Sequence, residues 1–181
     1  MKQLGKTKDN KHAEIMNYIV KNLRYTKGFP ENSQSIEVES PYNYYGDRGF
    51  VDIVVYSKNT ILKRDNITEK FFHYDSLTLW EIKTELNDIG ELLRQINRAQ
   101  KYFLKARQII GKHKIDTQRT EVKSFLVFPN TPHNIKTFNE NTELFCIPNL
   151  TVWCISNSWS WRCLVHEGQI WEEFLKRRIS S

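Results

Sequence analysis

The run "LTLWEIKTEL" (77–86) carries Glu81, Lys83 and Glu85 on alternate positions of an otherwise apolar segment. In a strand, a period of two sends all three charges to one face. Burying such groups unpaired costs roughly 1–3 kcal/mol for each polar group and more for a charge, so a compensating group must lie opposite. A second apolar run, "FVDIVVY" (50–56), has the β-branched content of a central strand and holds one acid, Asp52. On an adjacent strand Asp52 would come within a few ångströms of Glu81, and two such carboxylates repel unless a cation joins them. Mg²⁺ fits, because it takes one or two carboxylates in an octahedral oxygen shell and keeps several waters. Lys83 is then placed to orient or deprotonate a water, or to offset charge on a phosphate. A structural salt bridge would explain Glu81 with Lys83 but not the added acid in an apolar strand. Glu85 is assigned to the periphery.

The rest of the chain supplies a frame for these strands. Apolar residues at helical spacing predict a first helix over 9–23, with Asp9 or Asn10 as its N-cap. "SIEVES" (35–40) alternates as a half-buried strand does, "PYNYYGDRG" (41–49) is rich in turn residues, and 57–76 reads as a loop before the strand at 77–84. The three strands suit a meander. Asn87 or Asp88 caps the longest predicted helix, whose apolar face runs from Ile89 through Ile96 to Phe103 and Ala106. Its opposite face carries Arg94, Arg98, Lys101, Lys105 and Arg107. A basic linker (111–121), a buried strand (122–129), a short amphipathic piece (134–138), strand-like runs at 144–148, 151–156 and 159–166, and a closing helix at 168–178 complete the reading. This order suits an α/β or α+β layer with a central mixed sheet flanked by helices.

"GFVDIVVY", an interval of some twenty residues and "LTLWEIKTEL" together resemble the acid, acid-x-lysine signature of the PD-(D/E)XK nuclease superfamily. The resemblance covers about residues 10–130 and places Asp52, Glu81 and Lys83 in the metal and catalytic positions. It implies a restriction-endonuclease-like core and a divalent metal, Mg²⁺ with Mn²⁺ able to substitute, held by Asp52, Glu81 and the backbone carbonyl of Ile82. Glu14 on the first helix resembles the helical Glu of resolvase-like members, as a further ligand and catalytic group. Gln95 resembles the Gln of a Gln-x-x-x-Tyr element, although Ala99 stands four residues on and Tyr102 seven. Val51 replaces the proline of the family name. Iron–sulfur members use four cysteines split between the chain ends; three in one region argue against a cluster.

The chain has 181 residues and a formal net charge of +6, which predicts one domain over 1–181, with a core at about 10–130 and an extension at 131–181, and makes polyanions plausible partners. Arg48, Lys27, Arg94 and Arg98 are the phosphate-contact candidates. Cys146, Cys154 and Cys163 are an odd count, which argues against a disulfide framework, and with no apolar leader or membrane-length apolar run they predict a cytoplasmic protein. With His166 these cysteines have no familiar zinc spacing, so small buried thiols are the expectation. Trp153, Trp159, Trp161 and Trp171 suit a core or an interface, with base stacking as the alternative. The resulting expectation is a Mg²⁺-dependent nuclease acting on nucleic acid, DNA ahead of RNA, as an endonuclease and a homodimer. The alternatives are an inactive nuclease-fold module for nucleic-acid binding or assembly, and a metal-independent interaction domain built on the tryptophan-rich end.

Overall fold

The computed structural model describes residues 10–24, 34–64, 69–105, 108–110, 113–115 and 120–171. Helix α1 (Asn10–Arg24) is followed by strands β1 (Gln34–Tyr44), β2 (Asp47–Arg64) and β3 (Glu69–Ile82). Helix α2 (Ile89–Lys105) comes next, then a small hairpin of β4 (Gln108–Ile110) and β5 (His113–Ile115). Strand β6 (Thr120–Pro129), helix α3 (Pro132–Glu140) and a 3₁₀ turn (Thr142–Phe145) lead to β7 (Leu150–Ile155), β8 (Trp161–His166) and β9 (Gln169–Ile170).

Seven strands form one mixed sheet in the order β1-β2-β3-β6-β7-β8-β9. The first three make an antiparallel meander, as the sequence predicts. The chain then crosses through α2, so that β6 lies parallel to β3 and β7 parallel to β6, and β8 and β9 close the sheet antiparallel. Within the region expected as an extension, residues 150–170 thus supply strands to the same sheet.

Alternation along the strands divides the core between two faces. Leu77 and Leu79 of β3 pack with Val54, Tyr56, Ala99 and Phe103, beneath α2. Their neighbour Ile82 instead packs with Ile15 and Ile19 of α1 and with Ile53, Val55, Val127 and Ile155. Each such aliphatic side chain, fully buried, contributes roughly 1.5–3 kcal/mol. Toward the N-terminal end of α2, Ile89, Leu92 and Ile96 cover Leu126, Phe128 and Val152, in a cluster that α3 joins through Phe138.

Four local expectations are corrected. Residues 57–64 and 69–76 are not a loop: β2 and β3 remain paired in a register that runs to Arg64↔Glu69, because an antiparallel ladder satisfies its own backbone groups. The turn-rich run 41–49 is strand through Tyr44, and only Tyr45 and Gly46 turn. The run at 144–148 is not a strand: it holds the end of the 3₁₀ turn, which inserts Phe145 into the core, and the irregular residues after it. The strand expected at 77–84 ends at Ile82, although the Lys83 N–H still donates to the Val127 carbonyl at 3.0 Å. Most of the predicted closing helix, from residue 172 on, lies outside the described residues.

A two-carboxylate candidate active site

Asp52 stands where β2 loses its partners on both sides. With β1 the register passes from Val38↔Ile53 to Ser40↔Val51, and Glu39, at the omitted position, has a φ of 56°. With β3 the pairing stops at Ile53↔Trp80, one step short of Asp52 facing Glu81. The side chain takes over there: Asp52 Oδ2 accepts a hydrogen bond from the Ile82 N–H at 2.7 Å. The opening of the ladder and the position of the carboxylate thus have one cause.

Glu81 follows Leu77 and Leu79 on the α2 side of β3 and lines a small pocket that Gln95 of α2 also borders. Its Oε1 lies 2.6 Å from Lys83 Nζ. Burial, and after it the charge of Asp52, push the Glu81 carboxyl up to about 7 against the opposing pull of Lys83. A carboxyl raised first by burial and then by a second acid nearby marks a place where a cation would be stabilised.

Helix α1 sends His12 to this site. His12 Nε2 lies 3.2 Å from Asp52 Oδ1, both side chains being about 15% exposed. Its Nδ1 is buried and has no partner among the described residues. Glu14 does not reach the carboxylates: it is exposed and pairs with Lys11 at 3.5 Å. The helical wheel could have separated them, since His12 shares the Ile15 and Ile19 face at i, i+3 and i+7, whereas Glu14 points away from it.

Behind Lys83 the chain bends and is clamped by Asn134 of α3, whose side chain is wholly buried. Asn134 Oδ1 accepts from the Leu86 N–H at 2.9 Å, and Nδ2 donates to the Thr84 and Pro129 carbonyls, each at 3.0 Å. This holds the stretch after Lys83 against the end of β6. Glu85, in the bend, is exposed and accepts from Asn87 Nδ2 at 3.3 Å.

Gln95 also borders an open cleft of about 190 Å³ with Lys83, Glu85, Asn87 and Glu91. Arg94 is exposed and paired with Glu91 at 2.9 Å. Arg98 bridges Asp47 at 3.2 Å and Glu91 at 3.5 Å, tying the β1–β2 turn to α2. Arg48 is exposed on β2 beside that turn. Lys27 lies outside the described residues.

The donor set bears on whether a metal fits. Among the described residues no group of three or more His, Cys, Asp or Glu side chains is arranged to hold an ion. Two carboxylates are nevertheless what Mg²⁺ commonly takes from a protein, water and phosphate filling the other positions. Asp52 and Glu81 supply that oxygen set, and the raised Glu81 carboxyl is the observation in its favour.

The fold and the paired carboxylates define a nuclease-like α/β domain. The PD-(D/E)XK nuclease superfamily domain matches residues 14–151, most of the chain, so the chain belongs to that superfamily. Neither curated proteins nor solved structures give a significant match. No helix among the described residues is long and apolar enough to cross a membrane.

Proposed function

We propose that the protein is a Mg²⁺-dependent endonuclease that hydrolyses DNA phosphodiester bonds, with Mn²⁺ able to substitute. The observation that carries this reading is the Asp52–Glu81 pair with Lys83 bonded to Glu81. Asp52 and Glu81 would hold the metal, with the Ile82 carbonyl as the further backbone ligand; bound there, Mg²⁺ supplies positive charge against the phosphate oxygens. Lys83 positions the attacking water and carries compensating charge as the new P–O bond forms and the leaving oxygen departs in line. Gln95 contacts substrate from α2, and Arg48, Arg94 and Arg98 are the backbone-tracking cations. Glu14, turned to solvent, has no part in this arrangement.

Residues 1–181 act as one domain in this reading, and a homodimer would present one site to each strand of a duplex. Three cysteines outside any disulfide support action in the reducing cytoplasm. The test is a panel of labelled linear and closed-circular DNA, single-stranded and duplex, with matched RNA, in Mg²⁺, Mn²⁺ or EDTA. Metal-dependent opening of circular DNA supports the reading. Cleavage confined to RNA would replace the substrate, and cleavage confined to linear ends would replace the endonuclease assignment.

A further inference from the structure

The β1–β2 turn holds a conformational oddity next to the candidate site. Tyr45 and Gly46 form a two-residue turn between the paired residues Tyr44 and Asp47, with φ values of 52° and 93°. Both φ angles are positive, as a type I′ hairpin requires, and Asn or Asp is strongly preferred at the first position because a bulkier side chain strains it. Here that position carries a tyrosine that is 84% exposed, so core packing does not explain its presence. The turn is well fixed: the Gly46 N–H donates to Asn43 Oδ1 at 3.0 Å, Tyr44 packs edge-on against Tyr45 at 4.7 Å, and Arg98 ties Asp47 to α2.

Beneath the turn lies an open cleft of about 280 Å³, walled by Tyr44, Tyr45 and Asp47 on one side and by Arg94, Arg98 and Lys101 of α2 on the other. Arg94 and Lys101 are exposed, and Arg94 is one residue from Gln95, which borders the Glu81 pocket. Along β2, Asp52 lies five positions beyond Asp47, about 17 Å of strand and a few nucleotides' reach.

We propose that this cleft is a nucleotide subsite for an unpaired stretch of the substrate strand, Tyr45 stacking on a base while Arg94 and Lys101 contact the flanking phosphates. The proposal rests on the nuclease reading and sharpens it, because a projecting ring over a cationic cleft selects a base free to leave its stack. In a duplex the bases are stacked inside and only the cations would be used.

The test measures binding of the full chain to a fluorescein-labelled single-stranded oligonucleotide and to its duplex, by anisotropy in EDTA. Wild type is compared with Tyr45→Asn, Tyr45→Phe and the double variant Arg94→Ala/Lys101→Ala. Tyr45→Asn suits the turn better than tyrosine does, so folding should hold or improve while single-strand affinity falls about tenfold and duplex affinity stays. Tyr45→Phe should keep wild-type binding, and the double variant should weaken both substrates and flatten the salt dependence. Equal losses on single strand and duplex, or unchanged single-strand binding by Tyr45→Asn while wild type binds or cuts, would overturn the subsite alone. A wild type that neither binds nor cuts any nucleic acid would overturn the nuclease reading and the subsite with it.

Discussion

The carboxylate of Asp52 accepts the backbone N–H of Ile82 at 2.7 Å, so a side chain on β2 takes the place of the next rung of the β2–β3 ladder. Asp52 and the Glu81 peptide are thereby locked to each other, and the repulsion between the two acids is built in. Replacing Asp52 by Asn keeps an oxygen for Ile82 and removes the charge. In metal-free protein the Glu81 carboxyl should titrate near 7 in wild type and lower in Asp52→Asn, still above the ordinary range because burial, the larger cause, persists. Carboxyl ¹³C chemical shifts followed against pH would read this, and an unchanged Glu81 titration would place Asp52 too far away to matter.

The same shift has a consequence for stability. Folded Glu81 keeps its proton up to about pH 7, whereas the unfolded chain releases it near 4.5. Between those values the folded state binds more protons, so the contribution of Glu81 to stability falls as pH rises and the full penalty is present above 7. In EDTA, Glu81→Gln should therefore gain on wild type progressively from pH 4.5 to 7, by roughly 1–3 kcal/mol, and hold that gain above. Urea unfolding at a series of pH values measures it, and a gap independent of pH would contradict the assignment.

His12 and Glu14 make opposite predictions although both lie on α1. His12→Ala removes the group 3.2 Å from Asp52 and should weaken Mn²⁺ binding by about 10–100-fold, as loss of a partner to a metal-holding carboxylate does. Glu14→Ala should leave metal binding and cleavage as they are. Titration calorimetry on both variants checks the pair, and the reverse pattern would restore Glu14 to the site.

Asn134 satisfies three backbone groups from inside the core. Asn134→Ala leaves them without partners and should cost about 2–4 kcal/mol in urea unfolding. The Leu86 amide should also exchange with solvent faster than the rest of the core, since Asn134 holds the stretch behind Lys83. Uniform exchange across the core would mean that the loss is global.

The central strands were legible in the sequence because an acid within an apolar, β-branched run is expensive to bury, and two such runs point to each other. The helix order and the meander followed from periodicity, whereas the crossover that lays β6 parallel to β3 did not, because strand pairing across a helix leaves no local pattern. The length of the β2–β3 hairpin did not: backbone ladder bonds hold it, and they leave no apolar alternation in 57–76 to read. His12 was passed over because a carboxylate on a helix suggests a metal more readily than an imidazole on its apolar face does. The tie from Asn134 to Leu86 spans 48 residues and leaves no local trace. Tyr45 read as an ordinary turn residue, since the sign of its φ is invisible until β1 and β2 are paired.

If Asp52 and Glu81 together hold the metal for phosphodiester cleavage, both should be needed for metal-dependent cutting. The most direct test incubates labelled single-stranded, duplex and branched DNA with wild type, Asp52→Ala and Glu81→Ala in Mg²⁺ or Mn²⁺. Wild type should cleave at least one substrate only when metal is present, and each variant should be slower by about 10²-fold or more while remaining folded. Cleavage unaffected by both substitutions, or binding by wild type with no metal-dependent cleavage of any substrate, would contradict that role.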